Sequence, residues 1–231
     1  MNRRLQAIAA LVPDGVGLVD VGTDHGYLPL ALAERGYPGA LFASDIGEGP
    51  LNAARRSAAE RGLTERIRFL LCDGLELCPP EAVDTIVIAG IGGDTICGIL
   101  DRAEWVLDPR YTLILQPMTR AEVLRYWLVN NGCAITAERL VNDQGTVYAL
   151  LSARFGGETR LSDAELYTGA FDLVEGEALW PEFRALQLRR LEKSIAGLRV
   201  SDREPGRLRL LERVYEELKG RERDAHREGD L

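Results

Sequence analysis

A short stretch near the N-terminus combines carboxylates and glycines in a pattern suited to ligand binding. From the end of the apolar run 17–21 onward, acidic residues alternate with glycines, as Asp20, Gly22, Asp24 and Gly26. Glycine lets a ligand approach the backbone closely, because it has no Cβ and tolerates a positive φ. A carboxylate at such a point is costly to desolvate unless a partner uses it, which makes Asp24 the first candidate for chemistry. The competing interpretation is an aspartate in an ordinary surface turn.

Four further apolar runs, each predicted as a strand, also end in residues that can bind a ligand. These residues are Asp45 and Ile46, Asp73 and Gly74, the glycines Gly90, Gly92 and Gly93, and Gln116 and Pro117. In an open parallel sheet the ligand lies outside the carboxyl ends of the strands, so we expect these residues at one edge. There Asp45 is placed to accept hydrogen bonds from ribose hydroxyls and Asp73 from an adenine amino group, while Asp20 orients the glycine loop. For each acid, capping of a turn is the alternative.

The apolar runs and turn residues predict the elements that carry these strand ends. Strands are expected at 17–21, 40–44, 67–71, 85–89 and 112–116, with helical segments between them. Two later strands, 134–141 and 146–155, flank the sequence Asn142-Asp143-Gln144-Gly145, which is typical of a hairpin turn. The pattern predicts an α/β domain over residues 1–157, with a mainly parallel sheet and a terminal antiparallel hairpin.

The remaining residues, 158–231, have a helical pattern and form the second predicted domain. Apolar residues recur there at spacings of three and four in two groups, Leu188, Leu191, Ile195 and Leu198, then Leu208, Leu211, Tyr215 and Leu218. A turn is expected between them, at 201–206. Two amphipathic helices that fold back on each other bury both apolar seams, so we predict a C-terminal α-helical coiled-coil hairpin.

Charge is distributed unevenly along the chain. The formal net charge is -8, yet residues 180–223 hold 12 Lys/Arg against 8 Asp/Glu. An acidic body with a basic appendage fits an RNA partner held at one end. Charges that neutralise one another on a helical hairpin would give the same counts.

The composition also argues against several functional classes. The chain has two histidines, His25 and His226, which argues against a histidine-based zinc site, and we predict no metal. No apolar run approaches the ~20 residues needed to cross a bilayer, so we expect no membrane association and a cytoplasmic location. The first residues, 1–11, are interpreted as an amphipathic helix.

Four motifs together resemble one enzyme family. The segments G-T-D-H-G-Y-L-P, A-S-D-I-G-E-G-P-L, I-V-I-A-G-I-G-G and L-I-L-Q-P-M are similar to those of bacterial tRNA (adenine-N1)-methyltransferases that modify adenine 22. The glycine loop also resembles the D/E-x-G-x-G-x-G loop of S-adenosylmethionine (SAM) methyltransferases, with Asp24 in place of the middle glycine. The resemblance covers Leu5 to Phe155 through motifs and the helical tail through its layout. It implies a Rossmann-like class I methyltransferase fold, SAM as the donor and tRNA as the partner.

Together with the strand-end pattern, the resemblance assigns roles to individual residues. Asp24 matches the aspartate needed for activity in the family and is the predicted catalytic residue. The predicted cofactor-binding residues are Asp20, Gly22, Asp45, Ile46, Asp73, Gly74 and Gly90. The predicted contacts with the adenine or the RNA are Tyr27, Gly92, Gly93, Gln116, Pro117, Arg189, Arg190 and Arg209. Two departures from the family are Met118, where asparagine is frequent, and Asp45, where glutamate can stand.

Methylation of adenine at N1 is consistent with a catalytic aspartate, because the reaction needs no histidine as a general base. Adenine N1 has a free lone pair, so methyl transfer is a direct displacement, and Asp24 would accept from the exocyclic amino group and stabilise the growing positive charge. Two alternatives stay open. One is a noncatalytic RNA-binding protein that keeps a relic SAM fold, and the other is a nucleotide-cofactor oxidoreductase, which the missing third-position glycine disfavours. We expect a monomer or a weak dimer.

Overall fold

The computed structural model describes residues 1–201 and 203–228, and its core is one seven-stranded sheet. The strands are β1 (Gly17–Val21), β2 (Ala40–Asp45), β3 (Ile67–Leu71), β4 (Thr85–Ile91), β5 (Thr112–Pro117), β6 (Cys133–Asp143) and β7 (Thr146–Phe155). The α-helices are α1 (Arg3–Leu11), α2 (Tyr27–Glu34), α3 (Glu48–Glu60), α4 (Gly93–Asp101), α5 (Ala121–Asn130), α6 (Asp163–Thr168), α7 (Phe171–Val174), α8 (Trp180–Ser201) and α9 (Pro205–Glu228). The chain divides into two compact units, Met1–Thr159 and Arg160–Leu231.

The strand order places a topological switch point at β1. The order is β3-β2-β1-β4-β5-β7-β6, in which β1 to β5 are parallel and β7 runs antiparallel to both of its neighbours. The chain passes from β1 to β2 and β3 on one side of the sheet and then to β4 and β5 on the other, which opens a crevice for ligands. The predicted α/β, Rossmann-like fold with a mainly parallel sheet and a terminal antiparallel hairpin is confirmed.

The central strands form because their residues are apolar on both faces. All five residues of β1 are buried, and Ile86, Val87 and Ile88 of β4 are completely enclosed. Such strands are stable only between two layers of helices, which here flank the sheet. The hairpin between β6 and β7 turns at Gln144 and Gly145, which both have positive φ, as a tight hairpin turn of this kind requires.

The observed strands reach further into the glycine motifs than the sequence pattern predicts. β2 includes Asp45, and β4 continues through Gly90 and Ile91. The register between β4 and β5 shifts between Ala89 and Ile91, and Gly90 has a φ of 83° there. Pairing with β5 resumes after this bulge, where Ile91 lies opposite Pro117 and its carbonyl oxygen accepts from the Met118 backbone N–H at 2.8 Å.

The second unit contains a helical hairpin formed by α8 and α9. Of the predicted seam residues, Leu191, Ile195, Leu211 and Leu218 are buried, and the other four are half-buried. The Tyr215 hydroxyl donates to Glu192 at 2.7 Å, and Arg199 pairs with Glu212 at 2.7 Å, which fixes the two helices as antiparallel. The predicted helical hairpin is therefore present, and its coiled-coil character stays a prediction. The predicted turn 201–206 includes Asp202, which lies outside the described residues.

The short helix α6 was missed by the periodicity argument. Ser162 accepts a hydrogen bond from the Glu165 backbone, and the Glu165 carboxylate accepts one from the Ser162 backbone. This reciprocal capping box was visible in the sequence as Ser-x-x-Glu. The helix itself has only six residues, too few for an apolar period to show.

Candidate functional site

A cleft of about 610 Å³ opens at the carboxyl ends of β1 to β4. Its walls include all seven predicted cofactor-binding residues together with Asp24 and Tyr27. These residues come from loops that are distant in sequence, and the parallel sheet brings them to one edge. The cleft lies at the switch point of the strand order, where ligands of this fold class bind.

A chain of hydrogen bonds through Ser44 holds three of the strand ends together. The Ser44 carbonyl oxygen accepts from the backbone N–H groups of Gly22 and Thr23, at 2.9 and 3.0 Å. The Ser44 hydroxyl, which is completely buried, donates to the Gly74 carbonyl at 2.6 Å. The loops after β1 and β3 are therefore both tied to the end of β2. The shape of the cleft floor depends on these bonds.

Asp24 occupies an unusual backbone conformation for a residue with a side chain. Its φ is 52°, in the left-handed region, and it lies between Gly22 at 70° and Gly26 at 71°. Left-handed residues other than glycine are uncommon and cluster at functional sites, although aspartate tolerates the conformation better than most. The Asp24 side chain lines the cleft and keeps 67% of its surface exposed. Its carboxylate is thus presented to a ligand and contributes little to packing.

Asp45 connects the predicted cofactor site to Asp24. Its Oδ2 accepts a hydrogen bond from the Asp24 backbone N–H at 3.2 Å, and its Oδ1 accepts one from the Gly47 backbone at 2.8 Å. Two backbone donors therefore orient this carboxylate before any ligand arrives. Each oxygen of a carboxylate has a second lone pair, so both can also accept from a pair of vicinal hydroxyls.

Asp73 lies at the far side of the cleft, after β3. Its Oδ1 forms an ion pair with Arg102 at 2.9 Å, and about half of the side chain remains exposed. The adjacent Gly74 has a φ of 61°, and a Cβ on it would lie 2.8 Å from Ile99 Cγ2. The turn thus requires glycine for both conformation and space. Arg102 holds Asp73 in place and leaves its second oxygen for a donor in the cleft.

Asp20 is the most perturbed carboxyl group in the cleft. It is 6% exposed, and its Oδ2 accepts a hydrogen bond from the Thr23 hydroxyl at 2.6 Å. Burial raises the pKa of Asp20 to about 7, an effect that the Thr23 hydrogen bond partly offsets and nearby Asp45 reinforces. The Thr23 bond ties the start of the loop to its middle, and the role of Asp20 in cofactor binding stays a prediction.

Tyr27 and His25 form an exposed aromatic edge beside Asp24. Tyr27 is 46% exposed and lines the cleft, and its ring centroid lies 5.4 Å from that of His25. His25 Nε2 is 3.6 Å from Asp24 Oδ1. An open aromatic face of this kind is suited to stacking on a nucleobase that has been turned out of a helix.

Four of the predicted substrate residues are not among the residues that line the cleft. Gly92 precedes α4, and Gly93 is buried where a Cβ would lie 2.2 Å from the Arg120 carbonyl oxygen. Gln116 and Pro117 are buried in β5. The Gln116 Oε1 accepts from Arg4 at 2.7 Å and from the Gly90 backbone at 3.2 Å. Gln116 is therefore bonded to two residues that line the cleft, and direct contact of the four residues with a substrate stays a prediction.

The N-terminal helix contributes cleft residues that the sequence argument missed. Asn2, Arg4 and Leu5 line the cleft, as do Thr23, Ser44, Ala89, Ile91, Thr95 and Ile99. The strand-end rule cannot find α1, because that helix precedes the first strand. The adjacent arginines Arg3 and Arg4, at the start of an otherwise apolar helix, were the sequence feature that could have indicated a role for α1 in the site.

The remaining predicted RNA contacts belong to the second unit. Arg189, Arg190 and Arg209 are exposed on α8 and α9, and none of them forms an ion pair with any described residue. Nearby arginines differ in this respect. Arg199, Arg207 and Arg213 pair with Glu212, Glu204 and Asp163.

Within the described ranges, no cluster of three or more histidine, cysteine or acidic side chains is arranged to hold a metal ion. No helix in the same ranges is both long and apolar enough to cross a membrane.

Comparisons with known proteins agree with this geometry. Residues 1–151 match the family model described as a methyltransferase domain. The chain is 32% identical over 185 residues to the tRNA (adenine(22)-N(1))-methyltransferase of Bacillus subtilis, which covers 78% of each chain. The crystal structure of the B. subtilis m1A22 tRNA methyltransferase TrmK superposes with a TM-score of 0.81 at 27% identity, over 93% of this chain and 98% of that one. The M. capricolum TrmK complex with S-adenosyl-homocysteine (SAH) superposes with a TM-score of 0.72 at 26% identity, over 96% and 94%.

The raised pKa of Asp20 predicts a pH-dependent gain in stability for Asp20→Asn. The carboxyl has a pKa of about 7 in the folded protein against 3.8 for an exposed aspartate, so folding retains a proton that the unfolded chain releases. The parent protein therefore loses stability as pH rises from about 4 to about 7. Above that the loss is complete, at about 1.4 kcal/mol of unfolding free energy per unit of pKa difference. The amide of the variant would not titrate, and its oxygen can still accept from Thr23.

Urea unfolding of the ligand-free proteins at about pH 5 and about pH 8 measures this effect. The variant should gain more stability over the parent at the higher pH. An equal difference at both pH values would show that Asp20 ionises normally in the fold.

Proposed function

We infer, since the chain belongs to the tRNA (adenine(22)-N1)-methyltransferase family, that it transfers a methyl group from SAM to N1 of adenine 22 in tRNA. The observation that carries this function is the placement of Asp24. Asp24 has a left-handed backbone and an exposed carboxylate, and it lies in a cleft where Asp45 and Asp73 are placed to bind an adenosine. Asp45 also accepts a hydrogen bond from the Asp24 backbone N–H. The residues around it serve cofactor binding and orientation.

The residues of the cleft fit SAM. Asp45 and Asp73 present oxygens at the ends of neighbouring strands, where they match ribose hydroxyls and an adenine amino group. A Cβ on Gly22 would have no atom within 4 Å, so the glycine leaves open space in the cleft beside the β1 end. SAM supplies an electrophilic methyl group, which passes from its sulfonium sulfur to the lone pair of adenine N1.

Asp24 performs the catalytic role in this proposal. Its carboxylate accepts a hydrogen bond from the exocyclic amino group of the adenine, which orients N1 and stabilises the positive charge that grows on the ring. N1 has no proton to lose, so no general base is needed. His25, 3.6 Å from the Asp24 carboxylate, is therefore not required to remove a proton. The exposed ring of Tyr27 supports the same base by stacking.

The oxidoreductase alternative has lost its support, because the family is now assigned. A noncatalytic RNA-binding role would leave Asp24 strained and exposed without a purpose. Methylation of unmodified tRNA followed by primer extension separates catalysis from simple RNA binding, because N1-methyladenine stops reverse transcription. The cytoplasmic location and the monomeric or weakly dimeric state stay predictions.

Asp24→Ala should abolish most turnover and leave SAM binding intact. In this proposal the side chain contacts the target base, and its only ion-pair partner among the described residues is the exposed His25. Losing one electrostatic contact made in the transition state costs roughly 2.7–4 kcal/mol, or about 100- to 1,000-fold in kcat. SAM affinity by calorimetry and kcat by methyl transfer to tRNA measure the two effects. Turnover within about threefold of the parent would refute the role of Asp24.

Asp45→Ala should weaken SAM binding and also lower kcat. The substitution removes the acceptor for two ribose hydroxyls, at roughly 1.5–3 kcal/mol per charged hydrogen bond. It also frees the Asp24 backbone N–H, which Asp45 holds at 3.2 Å. Calorimetry and steady-state kinetics at saturating SAM separate the two losses. Unchanged SAM affinity would remove Asp45 from the cofactor site.

We further propose that residues 1–157 form the catalytic domain and 158–231 a helical domain that binds the tRNA. Support comes from the three exposed arginines Arg189, Arg190 and Arg209, which form no ion pair with described residues. Arginines without acidic partners are available to phosphates, and such contacts make the affinity depend strongly on salt.

The combined variant Arg189→Ala, Arg190→Ala and Arg209→Ala should raise KM for tRNA and reduce its salt dependence. Each lost phosphate contact lowers the slope of log affinity against log salt by about 0.7–0.9. SAM affinity should not change. The matched control removes three paired arginines instead, as Arg199→Ala, Arg207→Ala and Arg213→Ala. Equal effects of the two triple variants on KM for tRNA would show that net charge alone matters.

A further inference from the structure

Beside the cleft, the first unit contains a side pocket of about 330 Å³. Asp73 and Ile99 line both the cleft and the side pocket, so the two spaces adjoin. The other walls come from the loop after β3 and from the residues that follow α4, and they include Leu75, Cys78, Arg102, Ala103 and Trp105. The proposed reaction assigns no ligand to the side pocket.

The walls of the side pocket are mainly apolar. Leu75, Cys78 and Ala103 are all buried. Burial raises the pKa of the Cys78 thiol to about 12, so the sulfur stays uncharged at neutral pH and acts as a small apolar group. Trp105 is half-buried, and its ring makes a T-shaped contact with Tyr111 at 4.9 Å between the centroids. An indole held in this way, among buried apolar side chains, suits an aromatic ring of a ligand.

The ion pair between Asp73 and Arg102 lies where the two spaces meet. Arg102 Nη2 is 2.9 Å from Asp73 Oδ1, and Arg102 lines the side pocket but is not among the residues that line the cleft. In the proposed function, Asp73 accepts from the amino group of the cofactor's adenine. That amino group, N6, therefore has the side pocket next to it. A substituent on N6 replaces one hydrogen, and the other can still donate to Asp73.

The volume and the charges of the side pocket define the substituent that it can hold. A cavity of about 150 Å³ in a protein interior holds a benzene molecule, and the side pocket has more than this volume. One aromatic ring with a short linker therefore fits. Asp73 and Glu76 oppose the cation Arg102, so a neutral substituent is favoured over an anionic one.

We propose that the side pocket binds a neutral aromatic substituent on N6 of an adenosine-type ligand whose nucleoside occupies the cleft. The inference rests on the proposed function and extends its cofactor site beyond Asp73. The ligand class is N6-benzyl and related derivatives of SAM and SAH. The benzyl ring lies against Trp105 and the apolar wall, the remaining N6–H donates to Asp73, and the rest of the molecule binds as SAH does.

The test compares SAH with N6-benzyl-SAH on the full-length protein by calorimetry. The benzyl derivative should bind about 10-fold more tightly than SAH, because burial of an aromatic ring is worth at least roughly that factor. SAH has no group in the side pocket and serves as the internal reference for the cleft.

Two variants change the side pocket in opposite ways. Ala103→Leu adds bulk to the wall and should weaken N6-benzyl-SAH by about 10-fold or more, because the ring loses its space. Trp105→Ala removes the aromatic wall and should weaken the derivative by about 10-fold. Both variants should bind SAH within about threefold of the parent, which also shows that they are folded. Leu77→Ala, at an exposed residue beside Cys78 that does not line the side pocket, is the matched control and should change neither ligand.

The contrary results are distinct from one another. Binding of N6-benzyl-SAH more than threefold weaker than SAH would mean that the passage beside Asp73 does not admit a substituent. Unchanged affinity of the derivative for Ala103→Leu would place the benzyl group in solvent. Equal losses of both ligands in Trp105→Ala and in Ala103→Leu would mean that these residues only support the shape of the cleft. Each of these results overturns the side-pocket assignment and leaves the proposed function standing, whereas an unaltered protein that bound no SAH would refute the proposed function itself.

Discussion

The site depends on one buried serine. Ser44 accepts from the loop after β1 through its carbonyl oxygen and donates to the loop after β3 through its hydroxyl. Because both loops are fixed to the end of β2, the glycines and acids they carry keep constant positions along the sheet edge. Buried hydrogen bonds of this kind are costly to leave unmade, so the two loops and the end of β2 are held as one unit. The cleft can therefore be preformed.

Asp45 links the proposed cofactor site to Asp24, the proposed catalytic residue. Its carboxylate is oriented by the Gly47 backbone and in turn holds the backbone of Asp24. A ligand that bonds to Asp45 therefore contacts a carboxylate that is hydrogen-bonded to the backbone of Asp24, the proposed catalytic residue. This arrangement also accounts for the left-handed conformation of Asp24, since a bond to its N–H stabilises a turn that a side chain disfavours. The left-handed backbone conformation of Asp24 directs its carboxylate away from the packed core.

Charged residues are unevenly distributed both within the cleft and along the chain. Inside the cleft, Asp45 and Asp73 lie at the ends of β2 and β3, whereas the Arg4 guanidinium lies at the ends of β4 and β5. Along the chain, Arg189, Arg190 and Arg209, which are exposed and have no acidic partner among the described residues, lie on α8 and α9, whereas the proposed catalytic residue Asp24 lies in the first unit. In the proposed function, recognition of tRNA and methyl transfer belong to different parts of one chain.

The sequence by itself determined the sheet, its strand ends and the alternation of acids with glycines, because these are local patterns. An apolar run bounded by glycine predicts a buried strand, and parallel strands must bring their ends to one edge. Tertiary packing decided what those residues contact. Arg4 and Gln116 are 112 positions apart, so no local pattern relates them. The burial that raises the pKa of Asp20 and the role of Ser44 as a link between loops also arise only when distant strands pair. Burial and long-range hydrogen bonds belong to the assembled fold, which is why sequence spacing located the site and the structure defined its interactions.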